Sequence, residues 1–488
     1  MKYIKINEKD NVAIVVCAPN GETHIPNGHK IALRDIAEGE NVIKYGHSIG
    51  VATKQIVKGD HVHVHNLKST IDGKETFDYK KERNPLIKKE NTQYFSGYSR
   101  RVGLAGTRNE IWILPTVGCV SGVAEKIASL AVRKILPKKN IDAIRCFKHS
   151  YGCSQLSDDR DRTEKILGDL AIHPNVGGAL IVGLGCENSG IEKIKEQIPA
   201  EYLYKVRFIK LQDCVDELEE GLGYVRELAI QADSCTRSLI PVNELTIGLK
   251  CGGSDGYSGL TANPLIGVCT DKHVSTGGRA ILTEIPEMFG AEEILLKRCD
   301  LRETFDKVMK TLYEFKQYYI SHGEKPYENP SPGNKEGGIT TLEEKSLGCI
   351  KKGGTSSIVD VLDYGQRISK SGLNILSAPG NDLVSTTALA ASGAQIICFS
   401  TGRGTPFGGP VPTIKISSNT DLKNRRGNWI DYDAGSLIKL DKEKYRDSLD
   451  ASGDELYSLI LEVASGRRTL AERNEYADIA IWKTGVTL

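Results

Sequence analysis

The sequence predicts an α/β protein of two to four domains that starts with a small all-β module. In residues 1–67, short apolar runs alternate with turns such as Pro26-Asn27-Gly28, which is typical of short antiparallel strands. From residue 96 onward, strand-like apolar runs alternate with amphipathic stretches, and this pattern predicts parallel sheets covered by helices. The length of 488 residues is ample for several buried cores.

Four segments are expected along the chain. They are the β module at 1–67, a linker at 68–95, an α/β domain with a parallel sheet at 96–245, and a C-terminal α/β catalytic domain at 246–488. Residues 68–90 are rich in charged side chains and poor in large apolar ones, which indicates a solvated linker.

The strands and helices of the two α/β domains follow from their apolar patterns. Strands are predicted at 111–115, 141–147, 179–182, 373–376 and 395–399, and helices at 123–135, 191–198 and 455–464. Gly466 is expected to end the last helix. Because strands and helices alternate, we expect doubly wound sheets of the Rossmann or flavodoxin kind.

The charge balance and apolar patterning exclude several partners. With 64 Lys and Arg against 63 Asp and Glu, the chain is nearly neutral, which argues against a nucleic-acid partner. The apolar runs all fall short of the ~18 residues that a membrane span needs, and residues 1–7 lack the apolar core of a secretory signal. We therefore expect a cytoplasmic protein without a membrane partner.

Four polar, glycine-rich loops predict an enzyme whose active site is built from loop ends. The most informative loop follows an apolar strand and carries a thiol, a hydroxyl and a carboxylate, at Cys251, Ser254 and Asp255. Similar loops occupy residues 183–187, 331–338 and 400–409. Lys335 and Arg403 lie in the last two, and arginine suits bidentate binding of a carboxylate.

The loop at 183–190 resembles a dinucleotide-binding fingerprint but does not complete it. Asn188 stands where the third glycine is needed, so we do not expect a nicotinamide cofactor. The sequence also contains no P-loop motif, which argues against the use of nucleoside triphosphates.

Histidines provide three further candidates. His61, His63 and His65 alternate with valines, which predicts one strand face that either binds a divalent metal or simply faces solvent. His29 follows a turn and could reach a neighbouring site. His149 comes just after a predicted strand, where parallel sheets place active sites, and is our candidate general base.

The twelve cysteines divide by their neighbours. Seven lie in apolar or helical contexts and are expected to be buried hydrophobic residues: Cys17, Cys146, Cys214, Cys235, Cys269, Cys299 and Cys398. Five adjoin a glycine: Cys119, Cys153, Cys186, Cys251 and Cys349. The chain has no C-x-x-C spacing, so spacing alone indicates a metal site only weakly.

Long motifs follow one another along nearly the whole chain. They are Gly28-His29-Lys30, Tyr45-Gly46, Gly97-Tyr98, Gly106-Thr107-Arg108-Asn109, Tyr151-Gly152-Cys153, and residues 183–187, 251–255, 261–264, 331–335 and 401–406. A chain with these motifs resembles the altronate/galactarate dehydratase family of sugar-acid hydro-lyases. Residues 337–349, 360–365 and 379–382 look closest to the altronate branch of that family.

This resemblance implies both a fold and a reaction. Residues 1–67 would form a SAF (β-clip) domain, and the chain would dehydrate D-altronate to 2-dehydro-3-deoxy-D-gluconate in hexuronate catabolism. The alternatives are galactarate, a related 2-hydroxy acid as in sulfolactate sulfo-lyase, and a non-catalytic sugar-acid-binding protein. A homodimer is expected, and the linker should let the SAF domain lean over the catalytic body of its own or of a partner subunit, so that His29 helps to close the site.

The site residues are assigned as follows. The catalytic candidates are His149, His29, Asp255 and Lys335, and the substrate-binding candidates are Ser254, Asn263, Lys335, Arg403 and Thr405. The metal is expected to be Fe²⁺ or Mn²⁺, with an iron–sulfur cluster as a further form, and its candidate ligands are Cys119, Cys153, Cys186 and Cys251. The competing site is a single ion held by harder ligands such as Asp255, Glu284 or His29. Cys349 is left out of the site.

Overall fold

The chain forms three successive strand-containing regions in a computed structural model that describes residues 2–17, 25–71, 77–80, 92–439 and 442–485. The strands are β1 (Lys2–Ile4), β2 (Val12–Cys17), β3 (Lys30–Ala32), β4 (Asn41–Lys44), β5 (His47–Ala52), β6 (His61–Val62), β7 (Leu67–Lys68), β8 (Tyr94–Tyr98), β9 (Glu110–Pro115), β10 (Ala143–Cys146), β11 (Val176–Gly183), β12 (Val206–Lys210), β13 (Arg237–Pro241), β14 (Thr246–Cys251), β15 (Arg279–Leu282), β16 (Ile358–Leu362), β17 (Gly372–Leu376), β18 (Ile396–Thr401), β19 (Thr413–Ser417) and β20 (Tyr432–Asp433).

Helices surround the sheets of the second and third regions. They are α1 (Ser121–Ile135), α2 (Ser157–Ala171), α3 (Ile191–Glu196), α4 (Glu217–Asp233), α5 (Ala262–Ser275), α6 (Glu292–Leu296), α7 (Arg302–Ser321), α8 (Pro332–Glu336), α9 (Leu342–Cys349), α10 (Asp382–Ala391), α11 (Thr420–Arg425), α12 (Lys442–Ala464) and α13 (Leu470–Arg473). None of the described helices is both long and apolar enough to cross a membrane.

The N-terminal module consists of two small antiparallel sheets, β1-β2-β3-β6 and β4-β5-β7. Some of its apolar side chains belong to the same hydrophobic core as the third region, and others form a small cluster within the module. Two buried lysines of the module, Lys30 and Lys44, each place Nζ 2.7 Å from a carboxylate oxygen of Glu344 on α9. The module is thus held on the body of its own chain by shared apolar packing and a buried ion triad.

The second region contains a four-stranded parallel sheet in the order β10-β9-β11-β12. Successive residues of β11 enter opposite cores, since Leu180 packs with α1 and α4 whereas Ile181 packs with α2 and α3. This alternation is what a strand buried on both faces produces. β13 pairs antiparallel with β8 beside this sheet.

The third region is a seven-stranded parallel sheet in the order β16-β17-β15-β14-β18-β19-β20. α5 and α12 belong to the core on one face, and α10 belongs to the core on the other. That second core also includes residues of α2, so the two parallel sheets share an apolar contact. The mixed α/β architecture with parallel sheets is confirmed, while its Rossmann or flavodoxin kinship stays a prediction.

Three local predictions differ from the structure. α12 begins at Lys442, thirteen residues before the predicted start, because its first turns are too charged to show an apolar stripe. Residues 61–65 are not one strand: β6 ends at Val62, and Asn66 closes a turn by accepting from His63 N–H at 2.9 Å. Most of the predicted linker lies outside the described residues, but within its described part Tyr79 donates to the carbonyl of Asp300 at 3.0 Å.

Candidate functional site

The carboxyl end of β14 is the point where the seven-stranded sheet changes direction. From β14 the chain builds β15, β16 and β17 on one side and then returns to add β18, β19 and β20 on the other. In open parallel sheets, ligands bind in the crevice outside such a switch point. The glycine-rich loop that begins at Cys251 emerges at this place.

Three buried side chains at this edge form a compact group of candidate metal ligands. Cys251 ends β14, Glu287 closes a short turn after β15, and Cys349 ends α9. The two sulfurs are 3.4 Å apart and lie 3.2 and 3.1 Å from Glu287 Oε2. The ligand atoms all lie within 4.8 Å of one another. Two soft sulfurs and one carboxylate fit a transition-metal ion such as iron.

Positive charge surrounds this group. Lys352 Nζ donates to Cys251 Sγ at 3.0 Å, and Lys345 Nζ lies 2.7 Å from Glu287. Burial by itself raises the pKa of Glu287, but the ammonium groups, led by Lys345, lower it well below its usual range. The hydrogen bond with Cys251, followed by burial, raises the pKa of Cys349 well above that of a free thiol. The lysines therefore stabilise the Glu287 carboxylate in a dry site, whereas the neutral thiol is favoured at Cys349.

A second buried ion pair lies next to the group. Lys250 pairs with Glu284 and lies 2.8 Å from Asp382. Glu284 adopts a left-handed backbone conformation with φ of 72°, which is strained for a residue with a side chain. Burial, and then the nearby Glu287 carboxylate, raise the pKa of Glu284. Such strain and perturbed titration cluster at functional sites.

Asp255 is the other anion of the β14 loop. Its Oδ1 accepts from Ser258 N–H at 2.9 Å and from Ser418 Oγ at 2.7 Å, and its Oδ2 accepts from Asn419 at 2.9 Å. Burial raises the pKa of Asp255. A Cβ on Gly402 would overlap this carboxylate, which explains why the loop after β18 needs glycine there.

A cavity of about 580 Å³ opens beside Asp255. It is lined by charged and amide side chains that include Lys2, Asp255, Arg403, Asn419, Asn424 and Arg425. Arg403 is half-exposed and pairs with Glu336 at 3.0 Å. The size of the cavity suits a small polar ligand, and the arginines that line it suit a carboxylate.

The N-terminal module reaches this edge through its histidines. His29 Nδ1 lies 3.0 Å from His61 Nε2, and its Nε2 lies 3.1 Å from the carbonyl oxygen of Glu336. His63 contacts the carbonyl of Lys335 in the same way, at 2.9 Å. Burial lowers the pKa of His29, so the neutral ring is favoured. The imidazoles cluster although they do not share one strand.

The structure brings some predicted substrate residues together and separates others. Ser254, Asp255 and Asn263 line one small buried space together with Cys349. Lys335 lines a cavity of about 730 Å³, whereas Arg403 lines the one beside Asp255. Thr405 Oγ1 accepts from Phe407 N–H at 3.2 Å within its own loop.

The four predicted thiol ligands divide between the two parallel sheets. Cys251 lies at the seven-stranded sheet, whereas Cys119, Cys153 and Cys186 lie exposed in loops of the four-stranded sheet. His149 belongs to the second set, since it lines a cavity of about 490 Å³ with Cys119 and Cys153. Its Nε2 lies 2.7 Å from the carbonyl of Pro115, and burial lowers its pKa.

Sequence reasoning missed Glu287, Cys349, Lys345 and Lys352. Cys349 did carry a signal, the adjacent Gly348, but nothing in the sequence connected it to Cys251, which is 98 positions away. Glu287 follows the strained Glu284 by three residues, and only the turn after β15 brings it to the sulfurs.

Family models match nearly the entire chain. The model described as D-galactarate/Altronate dehydratase, C-terminal, matches residues 242–487, and that of the D-galactarate dehydratase/Altronate hydrolase second domain matches residues 97–233. The Altronate/galactarate dehydratase SAF domain matches residues 1–70. The N-terminal module is therefore similar to a SAF domain over its full length.

Whole-length relatives agree with these models. The chain is 46% identical to the altronate dehydratase of Bacillus subtilis strain 168, over 100% of this chain and 99% of the relative. It is 44% identical to the altronate dehydratase of Escherichia coli strain K12, over the full length of both. It is 33% identical to the galactarate dehydratase (L-threo-forming) of the same strain, over 96% of this chain and 93% of the relative. The chain belongs to the altronate/galactarate dehydratase family.

Proposed function

We propose that this chain is a hydro-lyase that dehydrates D-altronate to 2-dehydro-3-deoxy-D-gluconate. Identity of 44–46% to altronate dehydratases over the whole chain supports the substrate. The observation that carries the reaction type is the β14 loop, in which a metal-ligand group at Cys251 and a buried carboxylate at Asp255 are four residues apart. Galactarate is the alternative substrate, because a galactarate dehydratase matches the chain at 33% identity.

Cys251, Glu287 and Cys349 would hold the metal. A bound Fe²⁺ would act as a Lewis acid that stabilises the negative charge developing on a sugar-acid carboxylate. The two thiols favour iron over manganese, since manganese prefers oxygen ligands. Lys345 and Lys352 would compensate for the charge of the anionic ligands, as their contacts with Glu287 and Cys251 indicate.

Arg403 would bind the substrate carboxylate in the cavity beside Asp255. Its guanidinium is half-exposed; it donates to the carbonyl of Gly333 at 3.1 Å and pairs with Glu336, which a substrate carboxylate could replace. Arginine provides a planar pair of donors that matches a carboxylate. The neighbouring Arg425 and Lys2 add positive charge to the same cavity.

Asp255 would take the proton from C2. Burial raises its pKa, which makes its carboxylate a stronger base than an exposed aspartate. Among the described residues, Oδ2 accepts a hydrogen bond from Asn419 alone, so that oxygen keeps a lone pair for the substrate. The C3 hydroxyl would then leave as water by taking the proton that Asp255 removed from C2, and the resulting enol would tautomerise to the 2-keto acid. The docked N-terminal module would exclude bulk solvent from the elimination.

The proposal is tested with anaerobically purified protein supplied with Fe²⁺ or Mn²⁺. With D-altronate, a 2-keto acid should accumulate and be detected as its semicarbazone. Galactarate, assayed in parallel, should react far more slowly. A metal-loaded protein that is inert with altronate would refute the proposal, and rapid turnover of galactarate with inert altronate would assign the sister activity instead.

The homodimer is a further part of the proposal. It is tested by measuring the mass of the full chain in solution by light scattering at several concentrations. A mass of one chain at all concentrations would overturn it.

A further inference from the structure

Three exposed cysteines lie at one edge of the four-stranded sheet. Cys119 follows β9, Cys153 follows β10 and Cys186 follows β11, and these strands are neighbours in the order β10-β9-β11. Among the cysteines whose side chains the structure describes, these three are exposed, and the others are buried or half-buried. Cysteine is ordinarily one of the most buried residue types, so three exposed thiols at one sheet edge need a functional explanation.

Hydrogen bonds hold the three cysteine loops against one another. Gly118 N–H, beside Cys119, donates to the carbonyl of Tyr151 at 2.9 Å. Ser189 N–H, in the Cys186 loop, donates to the carbonyl of Gly152 at 3.2 Å. The Cys153 loop is therefore the centre of a fixed three-loop assembly. Parallel strands deliver all three loops to the same edge, where their side chains can share one ligand.

Two sources of positive charge lie beside Cys119 and Cys153: Lys148, which pairs with Glu125 at 2.7 Å, and the start of α1. Cys119 and Cys153 line one cavity of about 490 Å³, which Lys148 also lines. α1 begins two residues after Cys119, no described side chain caps its N-terminus, and its first turn contains no acidic residue. The positive end of the helix dipole stabilises thiolates and other anionic sulfur.

We propose that Cys119, Cys153 and Cys186 hold a four-iron, four-sulfide cluster at this edge, separate from the metal group of the seven-stranded sheet. Among the described residues, no set of three ligand atoms that includes one of these sulfurs lies within 4.8 Å, the spacing found for Cys251, Glu287 and Cys349. A single ion needs its ligand atoms within about that spacing, whereas a cluster of four irons binds thiolates that lie farther apart. Thiolates are the usual ligands of such clusters.

The composition of the site defines its ligand chemistry. Two ferrous ions, two ferric ions and four sulfide ions make up the cluster core, and each thiol releases its proton on binding. Three cysteines leave the fourth iron without a thiolate. That iron would take an oxygen ligand from solvent or from a small hydroxy acid in the cavity that Cys119 and Cys153 line.

The test is anaerobic reconstitution of the full chain with ferrous and ferric iron and sulfide. Protein-bound iron and acid-labile sulfide should rise together, with the broad visible absorption and the Mössbauer spectrum of a four-iron cluster. Cys119→Ser, Cys153→Ser and Cys186→Ser should each lose the sulfide and the visible absorption. Cys235→Ser is the matched control, because this half-buried cysteine follows α4 at the opposite edge and should keep both.

Two further measurements separate this site from the other metal group and from misfolding. Cys251→Ser should keep the cluster while losing the metal of the seven-stranded sheet. In the wild-type chain, reconstitution should protect Cys119, Cys153 and Cys186 from alkylation, as read by peptide mass spectrometry. Iron bound without sulfide, zinc bound in its place, or full cluster content in all three serine variants would overturn the proposal.

Discussion

Replacing Glu344 with glutamine should undock the N-terminal module, because this carboxylate is the anion between two buried lysines. Its oxygens lie 2.7 Å from Lys30 Nζ and 2.7 Å from Lys44 Nζ, and all three side chains are buried. Burial by itself would raise the pKa of Glu344, but the two ammonium groups lower it to about 2. The change leaves both cations buried without a counter-ion.

The magnitude follows from the three pKa values. Lowering the pKa of Glu344 from 4.5 to about 2 is a shift of about 2.5, which contributes about 3 kcal/mol of stability. Burial, only partly offset by Glu344, lowers the pKa of Lys30 to about 8. Burial also acts to lower the pKa of Lys44, but Glu344 and Tyr45 together raise it to about 12. Removing one partner of a buried ion group leaves the other charges uncompensated and costs about 3–5 kcal/mol.

Urea denaturation and limited proteolysis at neutral pH measure this effect. Glu344→Gln should lower the free energy of the first unfolding transition by about 3–5 kcal/mol and expose the module to protease. Adding Lys44→Met to the Glu344→Gln variant removes one uncompensated cation and should restore at least about 1 kcal/mol of the lost free energy of unfolding. Because the folded-state pKa of Glu344 is depressed, its contribution to the free energy of unfolding is present above about pH 4.5 and lost as the pH falls towards 2. The Glu344→Gln variant should not show this loss of stability between pH 4.5 and 2.

Glu343→Gln is the matched control at the adjacent position. Glu343 accepts from Thr70 N–H at 2.8 Å and from Ser69 Oγ at 3.0 Å, and burial raises its pKa, so a neutral amide oxygen can replace it. The expected change is about 1 kcal/mol or less. A Glu344→Gln variant within about 0.5 kcal/mol of wild type would refute the argument that the triad holds the module.

Three further predictions concern the active site. Asp255→Asn should lower kcat for altronate about 10²–10⁴-fold by removing the base, while Asp421→Asn, in the same cavity, should leave it near wild type. Cys251→Ser and Cys349→Ser should each weaken metal binding at least about tenfold in equilibrium dialysis, and unchanged affinity in both would remove the metal group from the mechanism. Arg403→Lys should raise KM at least about tenfold with a smaller change in kcat, because lysine cannot bind a carboxylate through two parallel bonds, and an unchanged KM would exclude Arg403 from carboxylate binding.

Local patterns predicted the elements whose signal is contained in a short stretch of chain. The apolar run at 111–115 became β9 with one added residue, and the amphipathic stretch at 123–135 became α1 with two. The signal failed where a side chain overrides the pattern. At residues 61–65 the alternation favours a strand, yet the Asn66 amide bonds the backbone at His61 and His63 and ends β6 early.

The candidate site was harder to predict because its residues meet only through the sheet order. Asp255 and Arg403 were found from their glycine-rich loops, and the structure does place both beside one cavity. Glu287 and Cys349 belong to segments that look ordinary in sequence, and they reach Cys251 only because β15 lies next to β14 and α9 packs against the same edge. No local pattern encodes that adjacency.

The cysteines show what such a pattern can and cannot specify. Four of the five thiols beside glycine follow or end a strand, and the fifth, Cys349, ends α9. The pattern is identical whether the strand belongs to the four-stranded or the seven-stranded sheet. The prediction from sequence therefore placed cysteines of both sheets in a single metal site. Burial separates them: Cys251 and Cys349 lie dry among lysines, whereas Cys119, Cys153 and Cys186 are open to solvent. A dry, charge-compensated pair suits a single ion that acts as a Lewis acid, and an open three-thiol edge suits a larger group assembled from solution.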